Sequence, residues 1–163
     1  MKNREISRQI QRFESLYKKA ADACKENLDL QSHWSRYLCI LLSGLIENSI
    51  KEIYSDYIVK NSAKAVADYS IAYLSTVSNP KTEKILSIVG SFKKEWQQQL
   101  EVYVSDAGRK DAIDSIMANR NLIAHGKDVG LTLARLNQFF LRTIEVLEHI
   151  ENQCNPVENI QAN

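Results

Sequence analysis

Apolar positions recur every three or four residues along most of the chain, the spacing of amphipathic helices rather than strands. Ile6, Ile10, Phe13, Tyr17, Ala20 and Cys24 form one stripe on a charged rod and predict a packing helix from about Ile6 to Asn27. Leu28-Asp29-Leu30-Gln31 reads as a connection, with Ser32 as N-cap of a second helix running to about Lys60. Between Trp34 and Ile46 that helix is apolar nearly all round, as expected of burial on more than one side. Trp34, Leu38, Leu41, Leu45, Ser49 and Ile53 read as its core face. A second stripe, Tyr37, Ile40, Gly44, Glu47 or Asn48, Lys51 and Ser55, mixes small and polar residues. It suggests close backbone approach at Gly44 and a polar site just beyond.

Asn61-Ser62 offers a break, after which a shorter helix carries Ala65, Val66, Tyr69, Ala72 and Tyr73 as its apolar positions. Ser78-Asn79-Pro80 predicts another start, with Pro80 at the first helical position. The helix that follows carries Ile85, Leu86, Ile88, Val89 and Phe92, bends near Gly90 and continues through Trp96, Leu100 and Val104. Ser105 to Gly108 reads as a turn, Arg109 to His125 as a helix, and Gly126 to Gly130 as a loop. A last helix runs from about Thr132 to Gln153 on Leu133, Leu136, Phe139, Phe140, Ile144, Leu147 and Ile150.

With only five glycines and two prolines in 163 residues, long helices are favoured over a turn-rich β fold. The expectation is an all-α, single-domain bundle of about five to six helices over residues 1–155, with a loose tail at 156–163. A net charge of +1 provides no global field for nucleic acid, so any such contact must be local. Lys81, Lys84, Lys93 and Lys94 are the best basic patch, with a solvated helix face as the plainer reading. Cys24, Cys39 and Cys154 show neither disulfide nor zinc spacing and read as thiols in a reducing cytoplasm. No apolar run is long enough for a membrane span, and no secretory leader is visible. Phosphate-loop and dinucleotide motifs are absent, so neither a cofactor nor a metal is expected. His33 and His149 read as isolated residues on helix surfaces.

Candidate chemistry gathers at Arg120-Asn121-Leu122-Ile123-Ala124-His125-Gly126. At about 100° per residue, Ile113, Ile116, Met117, Arg120, Ile123 and Ala124 share one face, with Arg120 near its middle. An unpaired guanidinium there costs several kcal/mol, so it calls for a carboxylate, a phosphate or a second chain. Asp114, Asn121 and His125 form the adjoining polar edge, and Asn121 and His125 are near enough to touch. Gly126 stands where a helix ends, which leaves His125 in the last turn, able to exchange a proton near neutral pH. Glu47 either holds Arg120 or forms an i,i+4 pair with Lys51.

The R-x-x-x-x-H pattern of Arg120 to His125, in its Arg-Asn-x-Ile-Ala-His-Gly form, resembles the motif of HEPN domains. It is most similar to RiboL-PSP-type HEPN proteins. The segment Leu42-Ser43-Gly44-Leu45-Ile46-Glu47-Asn48-Ser49-Ile50-Lys51 extends the likeness, which covers Leu30 to about Ile150. The resemblance favours Glu47 as the partner of Arg120 and implies metal-independent RNA cleavage. His125 would act as base, Arg120 would hold the phosphate, and Asn121 would orient either. Glu47, Asn48, Lys51 and Lys127 would support the site. Arg120 and His125 lie about 140° and 7.5 Å apart along the helix and do not converge in one chain. The family's homodimer, with a composite site, answers that difficulty. The resemblance also implies a defence or toxin–antitoxin setting with a partner protein. Lys127 stands where some HEPN toxins carry a tyrosine, which argues against that subgroup. The rival reading is a non-cleaving HEPN module that binds RNA, nucleotide or a partner protein; a structural adaptor is a third.

Overall fold

Residues 1–155 are described by the computed structural model, and within them the chain forms seven α-helices and no strand. They are α1 (Arg4–Ala23), α2 (Leu28–Asn61), α3 (Lys64–Ser75), α4 (Thr82–Phe92), α5 (Lys94–Val104), α6 (Arg109–Ala124) and α7 (Leu133–Cys154). The expected tail at 156–163 lies outside the described residues.

The organising element is α2, 34 residues long, a rod of about 50 Å. Helices α1, α3, α6 and α7 all pack on it. Its core residues Leu38, Leu42, Ile46, Ile50 and Tyr54 are fully buried. Aromatic stacking secures the neighbours: Phe13 of α1 lies 4.6 Å from Phe140 of α7, and Tyr54 of α2 lies 4.4 Å from Phe92 of α4. The three cysteines are buried free thiols, and burial pushes Cys39 and Cys154 up to about 12. Among the described residues, no helix is long and apolar enough to cross a membrane.

Four sequence expectations about the elements are corrected. Helix α2 starts at Leu28 rather than after Ser32, because the Asn27 side chain caps it by accepting the Leu30 N–H at 2.9 Å. Leu28 and Leu30 are exposed, so no core periodicity marked that turn. Helix α3 is rotated: Ala65, Val66, Tyr69, Ala72 and Tyr73 are all exposed, while Ala67 and Leu74 are buried. The segment expected to bend at Gly90 instead breaks at Lys93, which is extended (φ −148°, ψ 129°), giving two helices and a total of seven. The break redirects the chain, so that α4 lies on α6 while α5 reaches α7.

Pro80 precedes α4 rather than opening it. The N-cap position is held by Lys81, whose side chain makes no capping bond. Asp114 of α6 does that work from outside the helix, accepting the Thr82 N–H at 2.8 Å and the Lys110 ammonium at 2.7 Å. Burial alone would raise the Asp114 pKa. The bonds from Lys110 and Thr82 outweigh burial and hold it below the ordinary carboxylate range.

Candidate functional site

Helix α6 carries the motif and buries Ala112, Ile113, Ile116 and Met117. The next residue on that face, Arg120, is exposed, contrary to the expectation of an apolar seam. It stands over a cleft of about 210 Å³ lined by Ile40, Ser43, Gly44, Glu47, Asn79 and Met117 as well as Arg120 itself. The opposing α2 contributes Gly44, around whose α-carbon a methyl group would meet nothing within 4 Å. The close backbone approach expected at Gly44 is therefore absent among the described residues.

Glu47 borders this cleft without bonding Arg120. One carboxylate oxygen accepts the Lys51 ammonium at 2.9 Å and the other accepts the Asn79 backbone N–H at 2.9 Å. Of the two arrangements left open by the sequence, the i,i+4 pair is the one formed. Burial alone would raise the Glu47 pKa; the Lys51 bond, the Asn79 N–H and the charges of Lys51 and Arg120 together lower it. Arg120 thus acts on Glu47 through space. Its one hydrogen bond runs from Nη1 to Asn121 Oδ1 at 3.3 Å, and no carboxylate lies within salt-bridge distance among the described residues. Asn48 and Lys127 are exposed.

Asn121 does not orient His125 through its side chain. Its Oδ1 also accepts Asn79 Nδ2 at 3.0 Å, so it faces α4's approach rather than the next turn of α6. Asn79 is the site residue that sequence reasoning missed. It has a left-handed backbone (φ 48°), which asparagine tolerates better than most residues. That geometry lets its backbone N–H reach Glu47 while its amide reaches Asn121, joining α2 to α6. Ser78-Asn79-Pro80 signalled a helix start; nothing in it signalled those partners.

His125 is exposed and is the C-cap of α6 (φ −94°, ψ 16°). Gly126 follows with φ 69°. Its N–H reaches Ile123 O at 3.0 Å, and the Lys127 N–H reaches Leu122 O at 2.9 Å. These two bonds are the paired closure of a Schellman end, for which a left-handed residue is required. The following loop is tied back to α2 by an Arg36–Asp128 ion pair. The ring of His125 is therefore solvent-facing on a well-closed turn.

The other two histidines differ from each other. His33 is exposed. His149, expected on a surface, is half-buried and stacks on Tyr103 at 4.2 Å, with the Arg109 guanidinium 4.1 Å from that same ring. Burial and the Arg109 charge both lower the His149 pKa. The lysines of the basic patch, Lys81, Lys84, Lys93 and Lys94, are all exposed. Lys93 lies over the Trp96 ring at 4.5 Å, and Lys94 donates to Gln97.

Comparison with curated proteins and with solved structures gives no match. A family model described as RiboL-PSP-HEPN matches residues 2–156, nearly the whole chain and all seven helices. The match points to an RNA-related helical module, and the chain belongs to the RiboL-PSP-HEPN family.

Proposed function

We propose that this protein is a metal-independent endoribonuclease acting through Arg120 and His125, with two copies of the motif facing each other across a homodimer. The observation that carries the reading is the state of Arg120. It is an exposed cation near the C-terminal end of α6, held by a single amide oxygen, with an accessible imidazole five residues on. A guanidinium without a carboxylate partner is free to bind a phosphate through two N–H groups.

In the reaction, His125 takes the proton from a ribose 2′-OH as that oxygen attacks the adjacent phosphorus. Arg120 stabilises the negative charge growing on the phosphoryl oxygens. The P–O5′ bond breaks, and the protonated imidazole of the second copy donates a proton to the departing oxygen. The products are a 2′,3′-cyclic phosphate and a 5′-hydroxyl, with no net change in protons. Asn121, held by Asn79, positions Arg120. Glu47, on the cleft wall, pairs with Lys51 to add a compact charge pair, and the exposed Asn48 and Lys127 are the remaining supporting residues of the proposal.

A second copy is supported by the surface beside the cleft. Ile40 (36% exposed) lines it on α2, and Tyr37 (50%) stands one turn earlier on the same stripe, which continues to the open face of Gly44. Apolar side chains grouped this way mark an interface, and a two-fold axis through them makes it isologous. A toxin or defence role with a silencing partner protein completes the proposal.

Purified protein incubated with RNA in excess chelator is expected to cleave it. His125→Ala should lower the rate by at least about a hundredfold, as expected for loss of a general base, while leaving the oligomer intact. Mixing Arg120→Ala with His125→Ala chains should restore part of the activity through one complete half-site. RNA binding without cleavage by the unsubstituted protein would replace this proposal with the non-cleaving module.

A further inference from the structure

Helix α3 turns its largest side chains away from the core. Tyr69 and Tyr73 are 76% and 64% exposed, while Ala67 and Leu74 face inward. Four residues apart, the two tyrosines stand on one face of the helix. They line a groove of about 210 Å³ between α3 and α4, whose far wall carries Lys84, Ser87 and Ser91 and whose end is closed by Phe92. No carboxylate lines it. Lys81 is exposed and lies three residues before Lys84, continuing the positive edge toward the chain entry of α4. The intervening acid, Glu83, acts on Lys110 of α6. Val77 also lines it, and the groove shares no lining residue with the Arg120 cleft, which Asn79 borders two positions further along the chain.

We propose that this groove is a binding platform for unpaired RNA bases. Tyr69 and Tyr73 supply ring faces on which successive bases stack. Lys84 and Lys81 take the backbone phosphates, and the serine hydroxyls bond to sugar and base edges. This combination of aromatic surface, cation and hydroxyl is the chemistry of single-strand binding, tolerant of base identity. A docked protein helix would instead require a row of aliphatic pockets, and here Lys84 and three serines interrupt any such row. The platform rests on the reading of the motif as an RNA-cleaving site, and it adds a second place at which the strand is held.

The test uses the full-length His125→Ala protein, in chelator and low salt, with 5′-fluorescein-labelled oligouridylates of increasing length read by anisotropy. Affinity should climb with length as the strand reaches the groove. Adding Tyr69→Ala and Tyr73→Ala should flatten that climb and weaken the longest oligomer by about thirtyfold or more, the loss expected for two stacked bases. The paired Tyr→Phe substitutions should retain binding, because the rings remain. Val102→Ala and Leu141→Ala, at exposed apolar positions elsewhere, should change nothing. Unchanged affinity in the alanine pair overturns the platform. So does loss in the phenylalanine pair, or dissociation of the oligomer by the alanine pair in sedimentation, which would make the surface a protein interface. Tyrosine-dependent binding by a protein that cleaves nothing would keep the platform and discard the nuclease. Cleavage by the unsubstituted protein with tyrosine-independent binding would do the reverse.

Discussion

Two glycines in the loop after α6 make opposite predictions for the same substitution. Gly126 has φ 69°, Gly130 does not have a positive φ, and a methyl group added at either meets nothing within 4 Å. Steric crowding is thus removed from the comparison. Replacing glycine by alanine restricts the unfolded chain and stabilises by about 0.4–1 kcal/mol when the native backbone suits alanine. A left-handed backbone with a Cβ costs about 1–2 kcal/mol. Gly130→Ala should therefore gain about 0.4–1 kcal/mol, and Gly126→Ala should lose up to about 1.5 kcal/mol, the left-handed cost exceeding the entropic gain. The unfolded-state contribution is shared, so the difference between the two variants isolates the left-handed cost. Urea unfolding at constant m-value measures it directly. For a chain of this size each kcal/mol moves the melting midpoint by about 2–4 °C. Gly126→Asn should fall between glycine and alanine, since asparagine tolerates that conformation. Equal changes at the two positions would show that the end of α6 does not depend on a left-handed residue, and would remove the basis for a rigid His125 turn.

Two further perturbations test the charged groups. Asp114→Asn removes the Lys110 pair and weakens the cap on α4, and should lower stability by about 1 kcal/mol at neutral pH. Because the folded Asp114 pKa is depressed below its ordinary 3.8, that contribution is present above this value and lost as pH falls through the folded pKa; the variant and parent should converge in acid. His149 also has a lowered pKa, so the unfolded chain binds its proton more readily. The parent should lose stability as pH falls from above the ordinary 6.5 through the folded value, and His149→Phe, which keeps a ring against Tyr103, should flatten that part of a melting-temperature profile. A profile unchanged by the substitution would refute the assignment.

What the sequence disclosed follows from how each signal arises. Helices α1 and α7 have one wet side and one dry side, so their apolar stripes match what is buried, including Ile6, Phe13, Leu136 and Ile150. Helix α3 misled because Ala65, Val66, Tyr69, Ala72 and Tyr73 made one apolar stripe, whereas Ala67 and Leu74 were the positions packed inward. Arg120 illustrates a different limit. Periodicity gives the angle of a residue around its helix but not whether the facing surface is packed or, as here, an open cleft. The Glu47–Lys51 pair was readable as a local spacing. The Asn79 bridge was not, because it depends on where the α3–α4 turn meets α2 and α6.

The turn bearing His125 has two footings on one strut. Asn121, on one side of it, is held by Asn79, which Glu47 anchors; Asp128, on the other, is gripped by Arg36. Both anchors belong to α2, eleven positions apart, so helical rise spaces them by about 16 Å. That gauge is indifferent to side-chain identity on the outer surface but acutely sensitive to chain length. A single residue inserted in α2 between Arg36 and Glu47 would twist one footing by about 100° against the other, unseating the imidazole without altering any residue of the motif.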